Sequence, residues 1–176
     1  AFCVKPATAA YSAGAELVFA GEYEAAIEKL SEAIRLNPRY APAYSSRGSA
    51  HLHTGESQAA IQDYDTAIRL APENPDLADD YYNRGIVYQT IGEYQQAIED
   101  CNEAIRLDPA FAMAYITRGL SYDDLGQYQR AIQDFDKVIQ LDPDNDLAYT
   151  MRGKDYASLG QYRRAIVDFD QSIQLD

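Results

Sequence analysis

The chain has no tryptophan, and its 176 residues include only two cysteines and two histidines. Cys3 and Cys101 are too few and too far apart to form a disulfide framework, so the fold must rest on a packed core. His51 and His53 stand two apart and would point in different directions on a helix. No cysteine cluster accompanies them, so no metal centre is expected. Basic residues are scarce, 15 Lys and Arg against 28 Asp and Glu, giving a net charge of -13. That charge repels a phosphate backbone and argues against a nucleic-acid partner. No apolar run approaches the roughly 20 residues that a membrane-spanning helix needs. No Ser-His-Asp or Cys-His set stands in sequence register, and no glycine loop could cradle a phosphate. Neither an enzyme nor a cofactor-binding protein is expected. Asp142, Asp144 and Asp146 imitate the start of a calcium loop, but Leu147 stands where glycine is required and Gly153 where the closing glutamate belongs. A turn and a helix cap are expected there instead.

The first residues read Ala1-Phe2-Cys3-Val4-Lys5-Pro6, with no initiator methionine. A removed leader or a longer parent chain would account for this, and the expectation is a soluble protein, cytoplasmic or exported. Cys3 neither opens the chain nor follows a small residue, so a lipid anchor is not expected.

What the chain does have is apolar content, 47%, enough to bury a core, and a repeat. Gly48, Gly85, Gly119 and Gly153 each follow an arginine, and Gly14 sits in the same phase; the spacings are 34, 37, 34 and 34 residues. Tyr44, Tyr81, Tyr115 and Tyr149 precede the glycines by four. His51, Tyr88, Tyr122 and Tyr156 follow by three, and a second glycine follows by seven, at Gly21, Gly55, Gly92, Gly126 and Gly160. Pro38, Pro72, Pro109 and Pro143 close the units. The spacing predicts two helices per unit: the first has its marked residues on one side, and the second carries Ile, aromatic and Leu residues at helical spacing, as in Ile132, Phe135 and Ile139. The second glycine suits a left-handed helix stop. The first sits mid-helix at a cost of about 1 kcal/mol against alanine, which implies a helix packed too close for a Cβ. Fold class is therefore all-α, a tandem array of helix-turn-helix repeats.

On these residues the chain resembles the tetratricopeptide repeat family, over about residues 7–176. The units fall at 7–40, 41–77, 78–111, 112–145 and 146–176, after an extension at 1–6. The second carries three extra residues near Asn74-Pro75-Asp76-Leu77, read as one added helical turn. Tyrosine stands where the family usually has tryptophan, and arginine where it has leucine before the glycine. The resemblance implies a right-handed superhelical solenoid whose concave face is lined by the first helices.

Wherever arginine precedes the glycine, aspartate stands fifteen residues after it. The pairs are Arg47 with Asp63, Arg84 with Asp100, Arg118 with Asp134 and Arg152 with Asp168; the first unit has Ala13 and Lys29 instead. A repeated structural ion pair is expected, within a unit or between neighbours. Twelve of the fifteen tyrosines fall in repeated packing places, Tyr23, Tyr64, Tyr94, Tyr128 and Tyr162 among them; Tyr11, Tyr40 and Tyr82 do not. Cys101 takes the place of Tyr64, Phe135 and Phe169 and reads as a buried thiol, with Cys3 the exposed one.

Rotation at 100° per residue leaves the open face of each first helix at -6, -3, -2, +1, +4 and +5 from its glycine. That face holds Tyr11 and Phe19, then Ser45, Ser49 and His53, then Tyr82, Asn83, Ile86 and Gln89. Met113, Ile116, Thr117, Leu120, Asp123 and Asp124 follow, then Met151 and Lys154. In the family this groove binds a peptide or partner helix. One branch clamps acidic tails of heat-shock chaperones with Lys and Asn, but the matching places here are Tyr11, Ala15, Ser46, Asp79 and Asn83, of which only Asn83 is a suitable donor. The expected ligand is instead neutral to basic with apolar anchors. The alternative is a homo-oligomeric scaffold stacked end to end, because Ile166, Phe169 and Ile173 lack cover in the last unit.

Overall fold

The computed structural model describes residues 4–74 and 76–175, with side chains from residue 6 onward. The Cys3 expectation lies outside the described residues. Among them are ten helices and no strand. They are α1 (Val4–Ala20), α2 (Tyr23–Leu36), α3 (Ala41–His53), α4 (Ser57–Leu70), α5 (Leu77–Thr90), α6 (Tyr94–Leu107), α7 (Ala112–Asp124), α8 (Tyr128–Leu141), α9 (Asp146–Ser158) and α10 (Tyr162–Leu175). No described helix is long and apolar enough to cross a membrane. The chain forms two compact units, residues 1–87 and 88–176.

In the first unit α1 packs on α2 and α3 on α4, while α2 meets α3 and α1 touches α3. Its core joins Ala10, Ala26, Leu30, Ala33, Ala43 and Ala50. In the second unit α7 packs on α8 and α9 on α10, α6 meets α7, α8 meets α9, and α7 touches α9. There Ile116, Val138 and Ala148 cluster beside Tyr115, Leu120 and Ile139. Small residues let the helix backbones approach, and the branched and aromatic ones fill what remains.

The mid-helix glycines mark those approaches. A Cβ on Gly119 would lie 3.0 Å from both Cε1 and Cζ of Phe135, and one on Gly14 would lie 2.6 Å from Cγ of Leu30. The second glycines stop the helix. Gly126 has φ +69°, a left-handed value that a side chain resists. The amide of Gln127 then donates to Tyr122 O at 2.8 Å and that of Gly126 to Asp123 O at 2.7 Å, a Schellman ending. The residues Tyr88, Tyr122 and Tyr156, like His51, each supply the acceptor carbonyl of their own stop.

One detail departs from the sequence expectation and another meets it. The three extra residues of the second unit do not add a helical turn: α4 ends at Leu70 and α5 begins at Leu77. Between them Asn74 N bonds Ala71 O and Leu77 N bonds Asn74 O. Pro72, which lacks an amide hydrogen, and the Asn74 side chain, which accepts from Asp76 N at 3.2 Å, both favour turns over helix there. Asp142 likewise accepts from the Asp144 amide at 3.3 Å, and the cap of α9 is Asn145, whose side chain takes the Ala148 amide at 3.0 Å.

The packing predicts unequal costs for equal substitutions. Gly14→Ala meets Leu30, which is fully buried, whereas Gly153→Ala meets Phe169, which is 36% exposed and has room to shift. Urea unfolding should give Gly14→Ala a loss of about 2 kcal/mol or more, and Gly153→Ala clearly less.

Candidate interaction surface

Three of the four arginines before a mid-helix glycine are three-way clamps. Arg118 on α7 donates Nε and Nη2 to Asp134 of α8 at 2.9 and 2.6 Å, and its Nη1 to Asn102 of α6 at 2.6 Å. Arg47 forks onto Asp63 at 2.8 and 2.7 Å and reaches Ser31 at 2.9 Å. Arg152 forks onto Asp168 at 2.8 and 2.7 Å and reaches Asp136 at 2.6 Å. Arg84 pairs with Asp65 of α4, and Asp100 is buried. For Arg47, Arg118 and Arg152 the ion pair expected within a unit or between neighbours is a bidentate fork inside the hairpin, with a further single bond to the second helix of the preceding hairpin. The second acceptors Ser31, Asp65, Asn102 and Asp136 escaped the sequence reading, although each stands seventeen residues after a mid-helix glycine.

The tyrosine four before each glycine completes the arrangement. The guanidinium of Arg118 lies 5.4 Å from the Tyr115 ring centroid, and Arg47, Arg84 and Arg152 sit similarly over Tyr44, Tyr81 and Tyr149. The phenol of Tyr115 donates to Pro109 O at 3.3 Å and that of Tyr44 to Pro38 O at 3.2 Å, tying each to the closing proline of the unit before. Tyrosine for tryptophan and arginine for leucine are therefore one departure: the arginine needs a ring face and the ring needs a hydroxyl.

The open-face residues divide by element. On α1, Phe19 is 97% exposed, and Tyr11 packs edge-on to Tyr40 with centroids 5.1 Å apart. On α3, Ser45 and Ser49 are half-buried, and His53 stacks on Tyr23 at 4.4 Å. On α5, Tyr82, Asn83, Ile86 and Gln89 are half-buried. In the second unit, Met113 and Asp124 are exposed and Leu120 and Met151 half-buried, while Lys154 Nζ holds Asp123 Oδ2 at 2.9 Å. Two residues assigned to this face are not on it: Ile116 is in the core cluster, and Thr117 is buried, its carbonyl taking the Ser121 hydroxyl at 2.8 Å. A first helix here is covered by two second helices and a neighbouring first helix, so its open arc is narrower than simple rotation allows. Tyr162 also departs from the packing role expected of it, at 67% exposed. Cys101 is buried among helices, which pushes its thiol up to about 12. Among the described residues no three His, Cys, Asp or Glu side chains are grouped to hold a metal ion.

Two buried carboxylates went unread. Asp155 of α9 is fully buried where the three units before it have Ala50, Val87 and Ser121 and the first has an exposed Glu16, and Asp80 of α5 is buried where others have Ala43, Ala114 and Ala148. Their signal was the mismatch with the repeat. Burial, with the Asp123 carboxylate beside it, raises Asp155 to about 7; burial raises Asp80 to about 6, against a bond from Ser45.

Deleting the arginine of a clamp strands a buried carboxylate, so Arg118→Ala should cost about 3 kcal/mol in urea unfolding. A loss under about 0.5 kcal/mol, the level of a surface change, would dismiss the clamp. Because the folded pKa of Asp155 lies above its unfolded value, its contribution is fully present below about pH 4 and is lost as the pH rises through about 7. Asp155→Asn should therefore match wild type in thermal unfolding near pH 4 and exceed it increasingly towards pH 8; a gap that ignores pH would contradict this.

Profiles of the tetratricopeptide repeat match residues 11–75, residues 78–111 and 112–145, and residues 147–176. Among solved structures, a crystal structure of MamA is 26% identical with a TM-score of 0.85, covering 92% of this chain and 93% of that one. MamA 41-end from Desulfovibrio magneticus RS-1 is 24% identical with a TM-score of 0.89, covering 97% and 94%. YrrB, described as a TPR protein with an unusual peptide-binding site, is 22% identical with a TM-score of 0.82, covering 95% and 84%. No curated protein matches the chain. With the repeat profiles spanning most of its length and five helix hairpins in its structure, the chain belongs to the tetratricopeptide repeat family, whose members are protein-interaction modules.

Proposed function

We propose that the chain is a non-catalytic adaptor that binds a peptide or partner helix, neutral to basic with apolar anchors, along the open faces of its first helices. The observation that carries this is on α7 and α9. Met113, Leu120 and Met151 offer a flexible apolar surface, with Asp124 and the Lys154-paired Asp123 on the same helices to supply polar and negative groups. Thioether side chains repack around varied ligands, and the acidic surroundings steer a cation inward. In the first unit Phe19 and Tyr11 provide the aromatic counterpart, with Ser45, Ser49, Asn83 and His53 as polar contacts. YrrB, of the same fold, is described as having a peptide-binding site of its own.

The test is selection of peptides from a random displayed library on the wild-type protein beside a Met113→Asp/Met151→Asp variant shown to be folded by its thermal transition. Selected peptides should carry Leu, Met or aromatic anchors with Lys or Arg, and the variant should bind them at least about tenfold more weakly. Acidic selected peptides, or equal binding by the variant, would sink this reading.

A further inference from the structure

We propose that the cleft between α9 and α10 lined by Arg163, Arg164 and Val167 binds a small organic anion, a carboxylate or a phosphate monoester carried on an apolar body. The cleft lies apart from the first-helix faces considered above, and the inference stands without them.

The cleft has a volume of about 420 Å³, within the range of small-molecule sites, and its lining is Arg152, Tyr156, Arg163, Arg164, Val167 and Asp168. Three guanidinium groups meet one carboxylate there, in a chain whose acids outnumber its bases 28 to 15. Arg152 and Asp168 neutralise each other through their fork. Arg164 lies over the Tyr156 ring, 5.5 Å from its centroid, and gives Nη1 to Gln161 Oε1 at 2.9 Å. Arg163 is exposed and makes no hydrogen bond or ion pair among the described residues.

The repeat separates the residues that the fold uses from those it does not. On α8, Arg130 makes the same contacts as Arg164, over Tyr122 at 5.5 Å and onto Gln127 Oε1 at 2.9 Å. Arg163 and Val167 have no such counterpart: Gln58 and Gln62 of α4, Gln95 and Glu99 of α6, and Gln129 and Gln133 of α8 hold their places. Two adjacent cations in the first turn of α10 repel each other and oppose the helix dipole, so they do not stabilise the helix. An anion seated between them reverses both effects.

Cover is not what distinguishes the cleft. The six counterpart residues on α4, α6 and α8 are all exposed as well. The side chains of Arg118 and Arg152 are equally open, at 18% each, and Asp134 and Asp168 equally buried, at 4% each. What α10 changes is the chemistry of the lining. A guanidinium fork matches the two oxygens of a carboxylate or phosphate, and Arg163 has its fork free. Val167 sets bare apolar surface beside that fork, where the body of an organic anion can lie.

The probes are phenylpropionate and phenyl phosphate, titrated separately into the full chain and followed by NMR on the arginine Nε–H signals. About 0.15 M chloride is present throughout, to screen charges more than about 8 Å apart. The Arg163 and Arg164 signals should shift saturably, with half-saturation below about 1 mM for at least one probe, and the tighter probe names the anion. Arg163→Gln/Arg164→Gln installs the residue type that Gln95 and Gln96 hold on α6 and should weaken binding at least about tenfold. Val167→Gln should weaken it about threefold. Met113→Asp/Met151→Asp should leave it unchanged, which separates this site from the first-helix faces. Thermal unfolding checks that the variants stay folded. The proposal is overturned by no saturable shift, by equal binding in Arg163→Gln/Arg164→Gln, or by loss of binding in Met113→Asp/Met151→Asp. Inorganic phosphate binding as tightly as phenyl phosphate also overturns it.

Discussion

The guanidinium held between two hairpins is the contact on which the rest of the fold depends. A leucine before the mid-helix glycine would simply fill space. An arginine there must have its charge matched and its donors satisfied, because it is more than half withdrawn from water. That requirement fixes three things together: a carboxylate on the second helix of the same hairpin, a ring beneath the guanidinium, and an acceptor on the hairpin before. The bidentate fork sets how α8 lies against α7, and the remaining donor sets how α7 lies against α6. Geometry that a purely apolar contact would leave loose becomes directional.

The hairpin without the arginine confirms the dependence. Its place is Ala13, and fifteen residues after Gly14 stands Lys29, which points outward and pairs with Glu32 at 3.3 Å. The contact between α1 and α2 is carried instead by Ala10, Ala26, Leu30 and Ala33, and Leu30 fills the space over Gly14. Arginine and aspartate come and go together because either one alone would be a stranded charge.

Much of this was legible from spacing. Glycines 34 residues apart locate close helix contacts, glycines seven further on locate helix stops, and a covarying arginine and aspartate name an ion pair. Each is a local constraint with a residue type that answers to it. The form taken by the three extra residues and the burial of Ile116 and Thr117 were not legible in the same way. Whether three extra residues extend a helix or a turn is decided by a few hydrogen bonds around Pro72 and Asn74. How much of a first helix stays open depends on how many neighbours cover it, which no rotation of a single helix contains. Asp80 and Asp155 are a third kind of case: their identity is plain, but their burial follows from the repeat frame, where alanine, valine or serine normally sits.

These two carboxylates and the clamps together shape the field around the molecule. Arg47, Arg84, Arg118 and Arg152 account for four of 15 basic residues, and each is spent against carboxylates or amides inside the fold. The clamps withdraw aspartates along with the arginines, so the excess of acid over base is left to the residues that face solvent. Asp155 and Asp80, held near 7 and near 6, ionise as the pH passes through neutrality, adding negative charge beneath α7 and α9 in one unit and near α3 and α4 in the other. The field that would draw a basic ligand therefore strengthens over the same range in which those buried groups lose their stabilising protons. For the basic ligand proposed above, affinity and stability of the empty fold would be set against each other by the same two side chains.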